Sequence, residues 1–362
     1  MRVLAVVPSI YDTSPGQRFR IEQWEPILRK GGVEITYAPF ETDELRSVLY
    51  KRGQILTKIK AVTRNMKRRG EEIESLSEFD LVYLFREAAL LGPPWFERKL
   101  ARSGVPVVFD FDDAIFFSYK SPSNGYLSYL KFPRKTAESC RLSTHVMAGN
   151  EFLANYARQN NENVTIIPTT IDTDKYKFVE RTKEPDVLII GWSGSFSTIQ
   201  HLDTIRDVLH ELAKTEKFRL RIIGTPEYKL PGVDVEAIQW RSETEIDDLR
   251  QIDIGLMPLP DDNWSKGKCG LKALQYMALG ISTICSPVGV NSTIIRDGEN
   301  GFLADSKEEW IEKIKILIHS SELRQKFGRA GRETVEREYS AKVVAPKVLE
   351  IFRSAAKKSQ QV

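Results

Sequence analysis

The chain has 362 residues, which is too long for one ordinary hydrophobic core and suits two α/β domains. Hydrophobic residues make up 41% and charged residues 28%, a composition that argues against disorder. The net charge of +3 is small for this length and predicts no nucleic-acid partner. Cys140, Cys269 and Cys285 form no CxxC pair, so neither a disulfide framework nor a zinc site is expected, and a reducing cytoplasm fits.

The first part of the chain alternates short apolar runs with amphipathic stretches. The N-terminal run is too short for a signal peptide and predicts a buried strand, and no stretch reaches the ~18 apolar residues of a membrane-spanning helix. A helix is predicted over 20–30, and strands are predicted over 3–7, 34–38, 80–84, 105–109, 144–148 and 164–167. Runs of this kind are typical of a parallel sheet covered on both faces.

The segment 44–69 differs from its surroundings, because it carries nine lysines and arginines and no acidic residue after Glu44. Its apolar residues recur at roughly helical spacing. A basic amphipathic segment of this kind can lie on an anionic membrane surface or contact a lipid-linked acceptor. It can equally be a helix that buries its apolar face against the sheet and leaves its basic face in water. The sequence leaves both interpretations open.

After a charged linker, 175–185, a second series of strands begins. Strands are predicted over 187–191, 219–223, 235–238, 254–258 and 282–285, and helices over 198–213, 243–251, 270–279, 307–319 and 341–356. The pattern predicts two doubly wound domains, 1–174 and 175–340, with facing clefts at the carboxyl ends of their strands. The helix within 341–362 would follow the second sheet and pack back on the first domain.

The densest chemical signal is the segment 266–280, where a glycine-containing loop leads into a predicted helix. Lys268, Lys272 and Gln275 are spaced i, i+4 and i+7 and are predicted to share one face, with Leu271 on the adjoining inward face. Two ammonium groups beside a helix N-terminus, where backbone N–H groups lack partners, suit a nucleotide diphosphate. The alternative is two surface lysines on an ordinary helix.

A second glycine-containing turn follows the predicted strand 187–191. Gly194 permits close backbone approach, and Ser195, Ser197 or Thr198 can cap the helix that comes next. The turn is thus a second phosphate-ready helix start. A plain strand-to-helix turn with an N-cap explains the same residues.

The loop 14–20 follows the first predicted strand. Gly16 loosens its backbone, and Arg18 and Arg20 are predicted to point cations at the mouth of the cleft. Guanidinium groups suit a diphosphate or an anionic acceptor. Two ordinary surface arginines are the alternative.

Three carboxylates, Asp110, Asp112 and Asp113, stand at the end of the predicted strand 105–109. Carboxylates in such a place are costly unless they are solvated, hydrogen-bonded or functional. They can bind a divalent metal, position acceptor hydroxyls or cap the next helix. Acceptor and structural roles are favoured over a metal, because the sequence shows no further ligand cluster.

These segments resemble GT-B-fold glycosyltransferases of the large retaining group called group 1 or family 4. The likeness is strongest over 267–304, where the GL…MALG pattern is similar to the family's donor-site helix and DGENGFLA to the tail that follows. Segments 191–198, 164–172 and 14–20 are similar to the family's second-domain start, interdomain segment and first-domain loop. The fold that the resemblance implies is α/β, with two Rossmann-like domains facing a central cleft.

The chain departs from the family pattern at the donor site. Members usually have two glutamates in the donor helix, at positions that Gly267 and Gln275 occupy here. Gln275 can still hydrogen-bond a ribose, with less charge assistance. Thr293 stands where members usually have an acidic residue. This chain also lacks the Arg and the Lys that many members carry in the second domain, and it lacks the first-domain histidine. The resemblance therefore implies that Lys268 and Lys272 take over diphosphate binding.

The resemblance implies a retaining hexosyl-type transferase that uses a nucleotide-diphosphate sugar as co-substrate, with no cofactor and no metal. Its acceptor would be a carbohydrate or lipid-linked sugar in cell-envelope polysaccharide or glycolipid assembly. The protein would be located in the cytoplasm or on the inner face of the cell membrane. Domain closure about the linker would complete the site. The catalytic candidates are Lys268, Lys272, Asp112 and Asp113. The donor-binding candidates are Gly194, Ser195, Ser197, Trp240, Lys268, Gly270, Leu271, Lys272 and Gln275, and those for diphosphate or acceptor are Gly16, Arg18 and Arg20.

Two other classes of function fit parts of the pattern. The missing glutamates are also expected of a non-catalytic sugar-binding or scaffold subunit, which would bind no nucleotide sugar or bind it without turnover. A sugar-nucleotide epimerase of the same fold would change its nucleotide sugar without any acceptor. The clustered acids and histidines that an epimerase requires are weak in this sequence.

Overall fold

The computed structural model describes residues 1–49, 54–117, 132–180 and 184–359. The chain divides into two compact units: Met1–Thr169 together with Val344–Val362 form the first unit, and Thr170–Val343 form the second. Each unit contains a parallel β-sheet flanked by helices. This arrangement confirms the predicted α/β class with two Rossmann-like sheets.

The sheet of the first unit has the strand order β2-β1-β3-β4-β5-β6, and all its neighbours are parallel. Its strands are β1 Arg2–Val7, β2 Glu34–Pro39, β3 Leu81–Phe85, β4 Val107–Phe111, β5 His145–Ala148 and β6 Val164–Ile166. The helices are α1 Pro15–Gln17, α2 Gln23–Lys30, α3 Asp43–Leu49, α4 Ile55–Glu74, α5 Trp95–Arg102, α6 Lys135–Leu142 and α7 Glu151–Arg158. Strand β3 is buried along its whole length, as an apolar run covered on both faces should be.

The sheet of the second unit has the order β12-β11-β10-β7-β8-β9, also parallel throughout. Its strands are β7 Leu188–Ser193, β8 Phe218–Ile223, β9 Val235–Ile238, β10 Ile254–Met257, β11 Ser282–Cys285 and β12 Phe302–Leu303. The helices are α8 Ile199–Asp203, α9 Arg206–Leu212, α10 Glu245–Arg250, α11 Asn263–Lys266, α12 Leu271–Ala278, α13 Asn291–Ile294, α14 Lys307–His319 and α15 Ser321–Thr334, and the last described helix is α16 Ala341–Ser359.

Several elements differ from the sequence-based expectation, and helix α15 Ser321–Thr334, for example, was not predicted. The predicted helix 198–213 is divided into α8 and α9, and the Thr204 hydroxyl between them donates to the carbonyl oxygen of His201 (2.7 Å). A threonine side chain that bonds to the backbone in this way competes with helix continuation. Strand β12 was not predicted, because two residues are too few to show a pattern of burial.

Helix α16 belongs to the first unit from Val344 onward. Val348 and Phe352 are fully buried, and the Phe352 ring lies 5.9 Å from that of Tyr83 on β3. Arg353 donates to the carbonyl oxygen of Gly31 at the end of α2 (2.9 Å). These contacts hold the end of the described chain on the first sheet.

In each unit the first strand lies inside the sheet, and the later strands are added on both sides of it, so the strand order changes direction at this strand. Strand β1 lies between β2 and β3, and β7 lies between β8 and β10. Open α/β sheets bind ligands at such switch points, beyond the carboxyl ends of the strands. The loops after β1 and β7 are therefore the first places to look for a site.

The basic segment 44–69 forms parts of α3 and α4, and residues 50–53 lie outside the described residues. Ala61, Asn65 and Arg69 on one face of α4 are buried, as expected for a helix that covers the sheet. The first turn of α4 differs, because Ile55, Leu56 and Ile59 are exposed by 67%, 83% and 57%. Among the described residues, no helix has the length and apolar character needed to cross a membrane.

Candidate functional site

The turn after β7 brings the backbone of the second unit into close contacts that only glycine permits. A Cβ atom on Gly194 would overlap the Trp192 ring and lie 2.8 Å from Oγ1 of Thr198. A Cβ atom on Gly224, which follows β8 with φ +105°, would overlap the carbonyl oxygen of Gly194. The same atom would lie 3.7 Å from Cβ of Trp240. The ends of β7 and β8 and the segment after β9 thus meet at one edge, where Gly194 and Trp240 are neighbours.

The helix start after this turn is weaker than the sequence suggested. Thr198 is the N-cap residue of α8, but its hydroxyl donates to the carbonyl oxygen of Ser195 (3.1 Å) and caps no N–H group. The hydroxyls of Ser195 and Ser197 lie 2.8 Å apart. Since α8 has only five residues, its dipole is small. The predicted N-cap by a serine or threonine hydroxyl is therefore wrong, and the turn itself is what remains of the predicted phosphate site.

Helix α12 is fixed against the end of β7 by Tyr276. Its hydroxyl accepts a hydrogen bond from the backbone N–H of Ser193 (2.9 Å), and its ring fills the space that the missing side chain of Gly255 leaves. Lys272 lies one turn earlier on α12, since four residues make about one turn. Its Nζ is 5.3 Å from the centroid of the Trp192 ring. An ammonium group therefore stands at the carboxyl end of β7.

The prediction that Lys268, Lys272 and Gln275 share one helix face is wrong. Gly270, with φ +72°, is the N-cap of α12, so the helix begins at Leu271 and Lys268 precedes it. Lys268 instead places its Nζ 4.8 Å from the centroid of the Trp264 ring on α11. The left-handed conformation of Gly270 breaks the helical spacing on which the prediction depended.

Gln275 faces a buried polar cluster. Its amide nitrogen lies 3.2 Å from both the Tyr176 hydroxyl and Oε1 of Glu245. Trp240 donates its indole N–H to Oε1 of the same carboxylate (3.0 Å). The structure thus joins two predicted donor residues, Trp240 and Gln275, through Glu245 in the first turn of α10. Sequence reasoning missed Glu245 and Tyr176, and a lone glutamate after a strand offers no pattern that would have found them.

In the first unit, Arg20 is fully buried and does not present its guanidinium group to solvent. Its Nε donates to Asp110 (2.6 Å), a second nitrogen pairs with the same carboxylate, and a third donates to the carbonyl oxygen of Ile167 (2.8 Å). The hydroxyl of Tyr83 also donates to Asp110. Burial alone would lower the pKa of Arg20, but the Asp110 carboxylate reverses this and raises it. The predicted role of Arg20 as a cation at a cleft mouth is therefore wrong.

Arg18, the other predicted cation of this loop, is also largely buried, with 5% of its surface exposed. Its Nε donates to Asp12 (2.7 Å). An exposed cation was expected here, and the structure shows one already engaged by a carboxylate of the same loop.

The loops after β1, β3 and β4 meet at Gly16. A Cβ atom on Gly16 would lie 2.6 Å from a guanidinium nitrogen of Arg86 and 2.9 Å from a carboxylate oxygen of Asp112. Arg86 and Asp112 form an ion pair (2.7 Å). Arg86 has φ +58°, a conformation that is uncommon outside glycine and worth a functional hypothesis. Sequence reasoning missed Arg86, which is a single arginine directly after a strand.

The three aspartates do not act as one cluster. Asp110 lies inside β4 and is paired with Arg20, whereas Asp113 accepts the N–H of Ala114 (3.0 Å). Asp112 is the one that reaches Arg86. Within the part of the chain that the structure describes, no group of three or more His, Cys, Asp and Glu residues is arranged to hold a metal.

Comparison with known families identifies the second unit. Residues 172–334 match the family described as glycosyl transferases group 1, and nearly all of the second unit lies within this match. That segment belongs to the glycosyl transferases group 1 family, which confirms the resemblance seen in the sequence. The match spans less than half of the chain.

Solved structures of similar fold cover nearly the whole chain. A sucrose-phosphate synthase from Thermosynechococcus elongatus superposes with a TM-score of 0.71 at 13% identity, over 98% of this chain and 99% of that one. HepE from Anabaena, solved with UDP-glucose, gives a TM-score of 0.67 at 13% identity, over 98% and 100%. At such identities the likeness shows the fold alone, which is that of GT-B glycosyltransferases.

A curated relative is the sulfoquinovosyl transferase SQD2 of Arabidopsis thaliana. It is 26% identical over 192 residues, which are 48% of this chain and 34% of that protein. A second curated relative is matched over 22% of its length. The chain therefore spans about a third or less of the curated relatives it matches.

Replacement of Arg20 by leucine should destabilise the protein by about 3–5 kcal/mol, because the Asp110 carboxylate would stay buried without its partner. Urea unfolding followed by circular dichroism measures the change. Arg29→Ala is the control, since the Arg29 side chain is itself exposed and its i, i+4 pair with Glu25 should contribute less than about 1 kcal/mol. Equal effects of the two variants would contradict a stabilising role of the buried pair.

Proposed function

We propose that this protein is a glycosyltransferase that moves a sugar from a nucleotide-diphosphate donor to a carbohydrate or lipid-linked acceptor, with retention at the anomeric carbon. The observation that carries the proposal is the ammonium group of Lys272 at the carboxyl end of β7, beside the Gly194 turn. A cation and backbone N–H groups at the switch point of an open sheet suit a diphosphate. The group 1 family match to the second unit supports this assignment.

The candidate residues of the second unit divide among the parts of the donor. Lys272 and Lys268, with the backbone of Gly194 and Ser195, are assigned to the diphosphate. Trp240, Leu271 and Gln275 are assigned to the nucleoside, since Trp240 lies at the same strand ends as Gly194. HepE was solved with UDP-glucose, so UDP-sugars are the first donors to test.

In the proposed reaction, the acceptor hydroxyl oxygen bonds to the anomeric carbon on the face that the diphosphate leaves. The bond between that carbon and the phosphate oxygen breaks, and the hydroxyl proton passes to the departing phosphate oxygen. Lys268 and Lys272 stabilise the negative charge that develops on the diphosphate. This scheme uses no protein nucleophile and no metal, so we propose that the enzyme is metal-independent.

We assign the acceptor to the first unit. Asp112 and Arg86 at the end of β4 and β3 offer a carboxylate and a guanidinium group, and Gly16 leaves the backbone close to both. Asp113 and Arg18 lie in the same loops. Such groups form hydrogen bonds with sugar hydroxyls or with an anionic acceptor. The product would enter cell-envelope polysaccharide or glycolipid assembly.

Replacement of Lys272 by alanine should weaken binding of UDP by more than tenfold, because charge-assisted hydrogen bonds to phosphate are lost. Lys268→Ala should act in the same direction. Isothermal titration calorimetry measures both, and release of UDP from UDP-glucose reports the loss of activity. The matched control is Lys214→Ala, which removes an exposed lysine of the same unit.

The control variant should bind as the wild type does. Unchanged affinity in both Lys268→Ala and Lys272→Ala would remove these lysines from the diphosphate site. If the wild type binds a nucleoside diphosphate but transfers no sugar to any glycan or glycolipid fraction, the scaffold interpretation is correct and the transferase proposal is wrong.

We further propose that α4 docks on an anionic membrane surface, which makes the protein peripheral on the cytoplasmic face. Leu56 and Ile59 lie on the outward side of α4, where a solvated helix should be polar. The exposed residues Lys60, Arg64 and Lys67 share that side. Apolar side chains with a basic surround fit the boundary of an anionic bilayer, where each basic residue contributes about 1 kcal/mol.

The double variant Leu56→Ser/Ile59→Ser should reduce binding to vesicles of phosphatidylcholine with 30% phosphatidylserine by roughly fivefold or more, because buried apolar area is lost. Vesicle sedimentation at two salt concentrations measures this, and higher salt should weaken wild-type binding. Ile316→Ser, at an exposed position of the second unit, is the control. Equal binding to vesicles of pure phosphatidylcholine, or dimerisation that the double variant abolishes, would contradict membrane docking.

A further inference from the structure

In the polar cluster around Gln275, the hydrogen bonds that join Gln275, Glu245, Tyr176 and Trp240 have directions that follow from their chemistry. A carboxylate can only accept, so Glu245 receives the Trp240 indole N–H and the Tyr176 hydroxyl (2.8 Å). The single O–H group of Tyr176 is thus used in the hydrogen bond to Glu245. Its oxygen can then only accept from the third neighbour, which is Gln275.

These directions fix the orientation of the Gln275 amide. The end of the side chain that faces both Glu245 and Tyr176 must be the –NH₂ group, because both neighbouring atoms are acceptors. Both N–H bonds are used in this way. The carbonyl oxygen must point elsewhere, and none of the described residues donates a hydrogen bond to it. Gln275 is otherwise buried, with 3% of its surface exposed.

We propose that Glu245 and Tyr176 are positioning residues that hold the Gln275 carbonyl oxygen as a fixed acceptor for a ribose hydroxyl of the nucleotide donor. A carbonyl oxygen that is held in one orientation favours a ligand group that donates a hydrogen bond, such as a hydroxyl. It repels other acceptors, such as phosphate oxygens and base carbonyls. Trp240, the fourth member of the cluster, reaches the strand ends beside Gly224, where the donor is placed. The inference rests on the proposed function, because it assigns a part of the donor to this group.

The same contacts explain why this position carries an amide. A glutamate at 275 would place a second carboxylate about 3 Å from Glu245, and two such charges cannot both stay ionised in a buried cluster. A glutamine provides the acceptor oxygen without the repulsion, and it uses its N–H groups to hold Glu245. The negative charge is thus moved from residue 275 to residue 245, while the acceptor stays where it is.

The experiment compares UDP, GDP and ADP with their 2′-deoxy and 3′-deoxy counterparts by isothermal titration calorimetry. The wild type should bind one ribonucleotide about three- to tenfold more tightly than a deoxy form, as expected for one neutral hydrogen bond. In Glu245→Gln the amide of Gln275 is free to turn, so this ratio should fall below about twofold. Affinity for the deoxy form should change little. Tyr176→Phe should lower the ratio partly.

A charge exchange separates positioning from simple structural support. Gln275→Glu alone should lower the melting temperature, whereas Glu245→Gln/Gln275→Glu should restore it and also restore the preference for the ribonucleotide, since an acceptor returns to 275. Glu211→Gln, at a half-exposed position on α9, is the matched control and should leave the ratio unchanged.

The outcomes distinguish the inference from the proposed function. If the wild type binds a nucleoside diphosphate but discriminates neither deoxy form, or if Glu245→Gln keeps the full ratio, the positioning role is wrong and the donor site stands. If the wild type binds none of the three diphosphates, the proposed function itself is wrong and the inference falls with it.

Discussion

The hydrogen bond from the Ser193 N–H to the Tyr276 hydroxyl is the contact on which the candidate donor site depends. It joins the last residue of β7 to the middle of α12, and it is possible because Gly255 on the neighbouring strand leaves room for the tyrosine ring. Burial raises the pKa of Tyr276, so the hydroxyl stays neutral at any ordinary pH. Because α12 is fixed there, Lys272 lies close to the end of β7, with its Nζ 5.3 Å from the centroid of the Trp192 ring. The same contact fixes α12 and the end of β7 relative to each other, as a preorganised electrostatic site requires.

A different interaction has the same effect in the first unit. Arg20 joins the segment after β1 to Asp110 on β4 and to the backbone after β6, so one guanidinium group connects three parts of the sheet. Asp110 is two residues before Asp112, which lies with Arg86 against Gly16. A charge buried at this cost has to be fully paired, and it is. In each unit, buried polar contacts near the end of the first strand hold the backbone at the switch point, and other side chains are left as candidates for the chemistry.

The strands could be predicted from sequence because parallel strands buried on both faces appear as uninterrupted apolar runs, and the group 1 likeness was visible in the glycine pattern around Gly270. The geometry of the site could not be predicted as well. Periodicity assigns residues to a helix face, but it cannot show that the left-handed Gly270 starts the helix after Lys268. From sequence alone, an arginine is expected at the surface. Arg20 can be buried because it pairs with Asp110, which is 90 residues away in the chain. The role of Glu245 depends in the same way on Gln275, which is 30 residues distant.

The most direct test is a thermal-shift series with UDP, GDP, ADP, dTDP and CMP, each with and without EDTA. A ligand that binds only the folded protein raises the melting temperature by mass action. The account predicts a clear rise with one diphosphate, unchanged by EDTA, because lysines and backbone N–H groups of the second unit hold the phosphates without a metal. A rise that EDTA abolishes would contradict metal independence. No rise with any of the five would contradict the donor site itself.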